Sequence, residues 1–316
     1  MSHAKKPYNN VIIVGSVAYD EIMQFPSEFV KHFHPEKLDQ INVSFVVDKL
    51  EKHLGGTATN IAYNISLASD TKPRILAGVG KDYHIFFDFF KSHGIETSGI
   101  MVDEDLYTAT GKVITDSRGN QIWGFYYGAC ASARDISLSD HVTKDDIVVI
   151  SATHKDPFLR AQREARDIGA AYLYDPGMAL TYISDEDLAE GVFSATWLVG
   201  NEYEIAHIEK ALGQSYQSFV KKGITVIVTQ GEKGVSYQSP SDSYTIPAYT
   251  DVTMVDPTGA GDAWRAGFVA GIRDRLDTPD ALRQANALAS FQIEQYGTVN
   301  HAPTRQQIRT RTESLS

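Results

Sequence analysis

Residues 256–268 read Asp-Pro-Thr-Gly-Ala-Gly-Asp-Ala-Trp-Arg-Ala-Gly-Phe, a run in which small residues lead into a helix and an acid falls in its first turn. The first N–H groups of a helix have no intrahelical acceptor and carry the positive end of the macrodipole. Gly259, Ala260 and Gly261 therefore form an anion hole that a bulky side chain would obstruct. Asp262 stands beside the bound anion, where a general base for an attacking hydroxyl belongs. Taken alone, such a turn is more often a glycine-rich helix start whose acid complements the dipole. Two further runs accompany it: Gly15-Ser16-Val17-Ala18-Tyr19-Asp20, and Leu54-Gly55-Gly56-Thr57-Ala58-Thr59-Asn60 opening another helix.

These residues need a frame that brings positions 20, 60 and 262 together. Short β-branched runs at 11–14, 74–77, 147–151, 171–174, 197–199 and 224–229 read as buried strands. Helical patterns at 58–69, 83–92, 157–167, 203–212 and 214–222 fall between them, and two more, 260–275 and 279–295, close the chain. Gly94 and Gly223 stand where helices end. Strands alternating with helices predict a mostly parallel sheet covered on both faces, an α/β fold. Two stretches break the rhythm. Residues 25–48 lack a helical period and contain Ile41-Asn42-Val43-Ser44-Phe45-Val46-Val47, while 108–115 and 121–127 flank the turn Asp116-Ser117-Arg118-Gly119-Asn120. They predict a small accessory sheet, with strands from about 16–50 and 106–130, inside one domain spanning 1–316.

Composition sets the exclusions. With 40 Asp and Glu against 29 Lys and Arg in 316 residues, the formal charge is −11, which disfavours a nucleic-acid or anionic-membrane surface. A hydrophobic share of 42% fits a globular chain with a real core. No stretch approaches the ~20 apolar residues of a membrane span, and the polar start 1–10 reads as a frayed tail, so the cytoplasm is the expected compartment. A single cysteine, Cys130, forms no internal disulfide, and no His-Glu-x-x-His spacing announces zinc. Gly78-Val79-Gly80-Lys81-Asp82 lacks the upstream glycine and the hydroxyl residue of a Walker loop.

The front glycine pair and the rear Gly-Ala-Gly-Asp occur in the order and at the separation that resemble the ribokinase-like (PfkB) family of sugar and nucleoside kinases, over about residues 10–303. The resemblance implies a three-layer α/β/α domain with a mostly parallel central sheet and a small β-sheet lid. It also implies transfer of the γ-phosphoryl group of ATP to a primary hydroxyl. Asp262 then looks like the catalytic base, with Gly259, Ala260 and Gly261 as the hole for charge on the moving phosphoryl group. Asp20, Gly55, Gly56 and Asn60 look like the clamp on the acceptor's sugar, since a carboxylate accepts from two vicinal hydroxyls and an amide both donates and accepts. Asn201 and Glu204 resemble the family's Asn-x-x-Glu element, which helps place Mg²⁺ and the ATP phosphates through water. Thr229, Gly231 and Gly234 resemble the nucleotide-phosphate loop, and Asn286 a polar residue near the adenine. Residues 251–256 with Gly297 resemble a monovalent-cation loop, which makes Asp256 a candidate K⁺ residue. Pro257 departs from the Thr common among sugar kinases, which bears on subgroup and leaves the base untouched.

Within the family, residues 15–23 and the aromatic-containing stretch 25–52 look most like prokaryotic adenosine and nucleoside kinases. A nucleoside needs an apolar slot for its base, and Phe45, Phe125 and Tyr127 are the candidate faces. The expectation is an adenosine kinase that uses ATP and Mg²⁺ to make AMP from adenosine, as a monomer or homodimer. The alternatives are other nucleosides (inosine, guanosine, cytidine), the free sugars ribose or fructose, and a catalytically silent binding protein.

Overall fold

In the computed structural model, residues 8–33 and 43–315 are described. The start 1–7, and Ile41 and Asn42 of the run at 41–47, lie outside the described residues. The chain opens with β1 (Val11–Val14), runs through β2 (Ala18–Gln24) and β3 (Lys49–Gly55), and enters α1 (Thr57–Ala68). Next come β4 (Arg74–Gly80), α2 (His84–Ser92), β5 (Glu96–Asp103) and the hairpin β6 (Ala109–Thr115) to β7 (Gln121–Tyr126). The middle alternates β8 (Ile147–Ser151), α3 (Lys155–Ile168), β9 (Ala171–Asp175), α4 (Asp185–Ser194) and β10 (Trp197–Asn201). It continues through α5 (Glu202–Leu212), α6 (Tyr216–Lys221), β11 (Thr225–Thr229), β12 (Val235–Gln238) and β13 (Ser243–Ile246). Helices α7 (Ala260–Arg273), α8 (Thr278–Ile293) and α9 (Arg305–Glu313) end the chain.

Among the described residues, nine strands form the main sheet in the order β13-β12-β11-β10-β9-β8-β1-β4-β5. Seven run parallel and the β12–β13 hairpin runs antiparallel at one edge. Successive side chains of a strand point to opposite faces, so Val11 and Ile13 join one core with α1, α2, α7 and α8, while Ile12 and Val14 join the other with α3 to α6. That is the three-layer α/β/α architecture. Strand β1 lies between β8 and β4, so the chain winds outward in both directions from it. The crevice beyond the carboxyl ends of strands at such a reversal is where open α/β sheets bind ligands. Among the described residues no helix is long and apolar enough to cross a membrane.

A second sheet, β3-β2-β6-β7, branches off directly after β1. Its β6–β7 turn is tied by Asp116, whose carboxylate accepts from the amides of Arg118 and Asn120 and from Asn120 Nδ2. One expectation is corrected: residues 43–47 form no strand, and β3 at Lys49–Gly55 pairs with β2 instead. Phe45 explains the difference, because its ring packs locally against Phe25 and Phe29, with centroids 4.7 and 5.1 Å away, and not along a ladder.

Candidate active site

Helix α1 starts at Gly56, whose φ of 89° is left-handed territory and whose missing Cβ would lie 2.5 Å from the Ser16 carbonyl oxygen. That contact seats the helix on the end of β1, where the Ala58 amide donates to Ser16 O at 2.9 Å and Thr57 Oγ1 donates to Ala152 O at 3.0 Å. Gly55 is small for another reason, since a Cβ there would fall 2.1 Å from Asp20 Oδ2. The glycine pair thus makes room for neighbouring protein atoms, above all the Asp20 carboxylate. One turn into α1, Asn60 Nδ2 donates to Asp262 Oδ2 at 2.8 Å, joining residues 202 positions apart.

Asp262 lies in the first turn of α7, behind the left-handed N-cap Gly259. Of the three expected amide donors, Ala260 gives a 3.2 Å bond to Pro257 O. Burial raises the Asp262 carboxyl above its ordinary range; Arg265 and the Asn60 bond pull it down, and Glu204 pushes it up. Asp20 is pushed up to about 6, first by burial, then by the charges of Asp262 and Asp256.

Two cavities meet at this helix start. The first, about 580 Å³, lies between the small sheet and the main body and is lined by Asp20, Phe25, His53, Trp123, Tyr296 and Thr298 among others. The second, about 540 Å³, is lined by Thr229, Gly231, Gly234, Tyr249, Trp264 and Asn286 among others. Residues 256–261 are the shared wall: Asp256 and Thr258 face the first cavity, whereas Pro257, Ala260 and Gly261 face the second. An acid-bearing chamber with aromatic walls and a second, more apolar one, separated by a helix N-terminus, are suited to two substrates that exchange an anionic group.

The remaining expected residues fall as follows. Asn201 and Glu204 form a reciprocal capping box on α5, with the Asn201 amide donating to Glu204 Oε2 at 2.8 Å and the Glu204 amide to Asn201 Oδ1 at 2.9 Å. Asn286 lines the second cavity, but its amide is occupied by the Trp264 indole at 2.8 Å and by Pro247 O at 2.7 Å. Asp256 accepts from the Thr258 amide at 2.9 Å and the Gly297 amide at 3.0 Å, so both carboxylate oxygens tie the loop together. Each oxygen keeps a further acceptor site, so the carboxylate is compatible with a cation beside this loop. Phe45, Phe125 and Tyr127 are not on the wall of the first cavity. Phe45 backs Phe25. Phe125 pairs in register with Gly111, which pairs with Asp20, and Tyr127 sits 5.0 Å beyond Phe125 and 5.6 Å from His154.

Sequence reasoning missed the cavity-lining Phe25, His53, Trp123 and Tyr296, and a buried pair close to Asp262. Arg265 Nη2 donates to Asp175 Oδ1 at 2.6 Å, and Nε lies 2.5 Å from Oδ2. Alternation along β7 places Trp123 on the face of Phe125, so the signal that selected Phe125 also selects Trp123. His53 immediately precedes the quoted Leu54-Gly55-Gly56 run.

A profile of the pfkB family of carbohydrate kinases matches residues 15–305. The nucleoside kinase of Methanothermobacter thermautotrophicus is 30% identical over 298 residues, covering 93% of this chain and 92% of that protein. The structure of the Burkholderia thailandensis nucleoside kinase in complex with inosine matches with a TM-score of 0.86 at 27% identity, over 96% of this chain and 98% of that one. Its complex with ADP-inosine gives 0.83 at 29%, over 96% and 95%.

Proposed function

Because the chain belongs to the pfkB family of carbohydrate kinases, ATP-dependent enzymes that phosphorylate a hydroxyl group, we propose that it phosphorylates the 5′-hydroxyl of a nucleoside, adenosine first among them. The observation that carries this reading is the shared wall 256–261, with a chamber on each side and Asp262 following it. ATP fills the second cavity with its terminal phosphate at the start of α7. The nucleoside fills the first, its vicinal ribose hydroxyls donating to Asp20 and its base against Phe25 and Trp123. Phe45 supports Phe25 from behind, while Phe125 and Tyr127 lie off this wall, with Tyr127 against His154. The amides of Gly259 and Gly261, joined by Ala260 once a phosphate oxygen displaces its long bond to Pro257, receive the developing charge. Asp262 takes the 5′-hydroxyl proton as the new P–O bond forms and the bond to the ADP oxygen breaks.

Mg²⁺ fits the donor set. An ion that keeps several waters and binds phosphate needs few protein ligands. Glu204 spends Oε2 on the capping box, which leaves Oε1 for a metal-bound water. The ion would neutralise charge on the ATP phosphates. No step is assigned to K⁺.

A panel of acceptors tests the substrate class. Stacking of a base on an aromatic face contributes about 1–3 kcal/mol, so kcat/KM for adenosine is expected to exceed that for ribose or fructose by about tenfold or more. Equal values on free sugars would overturn the nucleoside reading. The inosine complex of the Burkholderia enzyme favours inosine as the second acceptor, and a higher kcat/KM for inosine than for adenosine would reverse the order of the two.

A further inference from the structure

The second turn of α7 carries a buried cation near the end of the helix where the macrodipole opposes one. Arg265 is 7% exposed and lies three residues after Asp262. Its guanidinium folds back toward the helix start, so that a Cβ on Gly261 would lie 2.6 Å from Nη1. Gly261 has no positive φ, so the guanidinium is a reason for glycine at this position that owes nothing to backbone freedom. From the other side Asp175, at the end of β9 and 4% exposed, accepts a hydrogen bond from Nη2 and lies within ion-pair distance of Nε. A buried ion pair is weak evidence for stability, because desolvation cancels most of its Coulomb gain. One built under a helix N-terminus, with a glycine cut to fit, calls for another purpose.

The charges around Asp262 suggest it. Asn60 donates to it from α1, Arg265 follows it by three residues on the same helix and acts on it through its charge, and Glu204 on α5, Asp175 on β9 and Asp20 on β2 are acids within electrostatic reach. Arg265 is the cation among those acids. We propose that Arg265, anchored by Asp175 and admitted by Gly261, is a positioning residue that fixes a positive charge one turn behind Asp262 and so keeps its carboxylate able to accept the proton of the acceptor hydroxyl. The proposal rests on Asp262 being the base.

The test is the acid limb of the pH profile of kcat, which reports groups in the ternary complex, where Asp20 is already bound to the ribose. Burial and then Glu204 push Asp262 up, and Arg265, followed by the Asn60 hydrogen bond, pulls it down. Arg265→Met should therefore move the limb to higher pH, by about one unit or more for the loss of a nearby opposite charge. Asp175→Asn removes an acid and leaves the cation, so its limb should stay or move to lower pH. Arg265→Lys keeps the charge and should keep the limb near the wild-type position while lowering kcat. Circular dichroism and nucleoside binding by calorimetry establish folding. If Arg265→Met does not fold, Gly261→Ala, which displaces the guanidinium, takes its place with the same expected direction. An unmoved limb in the Met or Ala variant, or limbs shifted alike in the Met and Asn variants, would overturn the proposal. Wild-type turnover in Asp262→Asn would instead sink the base itself, so the two failures are separate.

Discussion

Asp262→Asn is expected to lower kcat by about 10²–10⁴-fold, the range a positioned general base supplies, with nucleoside affinity nearly unchanged. The amide is the same size and still accepts the Asn60 Nδ2 hydrogen bond seen at 2.8 Å, so the junction between α1 and α7 survives. What it cannot do is take a proton from the acceptor. Steady-state kinetics with calorimetric binding separates the two effects. A large rise in KM at constant kcat would mean that Asp262 binds the acceptor and does not activate it.

Asp20→Ala should act on the other side of the ledger between binding and chemistry. A hydrogen bond to a charged group contributes about 1.5–3 kcal/mol, and two such bonds to vicinal hydroxyls correspond to about 10²–10⁴-fold in kcat/KM, carried chiefly by KM. The raised carboxyl gives this prediction a pH signature. Asp20 titrates at about 6, through burial first and then the charges of Asp262 and Asp256, so nucleoside KM should climb as pH falls below that value and the clamp is neutralised. The effect on folding has the opposite sign. A carboxyl with a folded-state pKa above its unfolded value favours the fold at low pH, and that contribution is lost as pH rises through about 6. Asp20→Asn should therefore raise the melting temperature at pH 8 and leave it little changed near pH 4, while impairing turnover. A lower melting temperature at pH 8 would show that the carboxylate is a structural anchor.

Much of this was legible in the sequence because it is local. Strands β1 and β8 match their expected limits, since a parallel strand covered on both faces reads as a continuous β-branched run. Elements with little core were not legible. Helix α9 buries only Ile308 among polar residues, α4 opens on three acids and carries Gly191, and β5 at the sheet edge buries chiefly Gly99. In α4 the apolar pairs Leu188/Val192 and Ala189/Phe193 are too short a stripe to stand out beside the acids. The apolar run at 43–47 misled for the converse reason, because Phe45 serves an aromatic cluster and not a strand. In the site, the Gly-x-Gly-Asp turn and the glycine pair could be found as short motifs. The Asp175–Arg265 pair spans 90 residues, and the cavity faces of Phe25 and Tyr296 depend on how the small sheet folds over the main one. No spacing rule along the chain encodes either.

The most direct measurement is the product of one reaction. The purified chain with Mg²⁺-ATP and adenosine is expected to release ADP and AMP in equal amounts, with the new phosphate on the 5′ oxygen by phosphorus NMR, and to give no phosphorylated product from 5′-deoxyadenosine. Phosphate on a 2′ or 3′ oxygen, or no nucleotide product from adenosine or inosine while a free sugar is phosphorylated, would contradict the account.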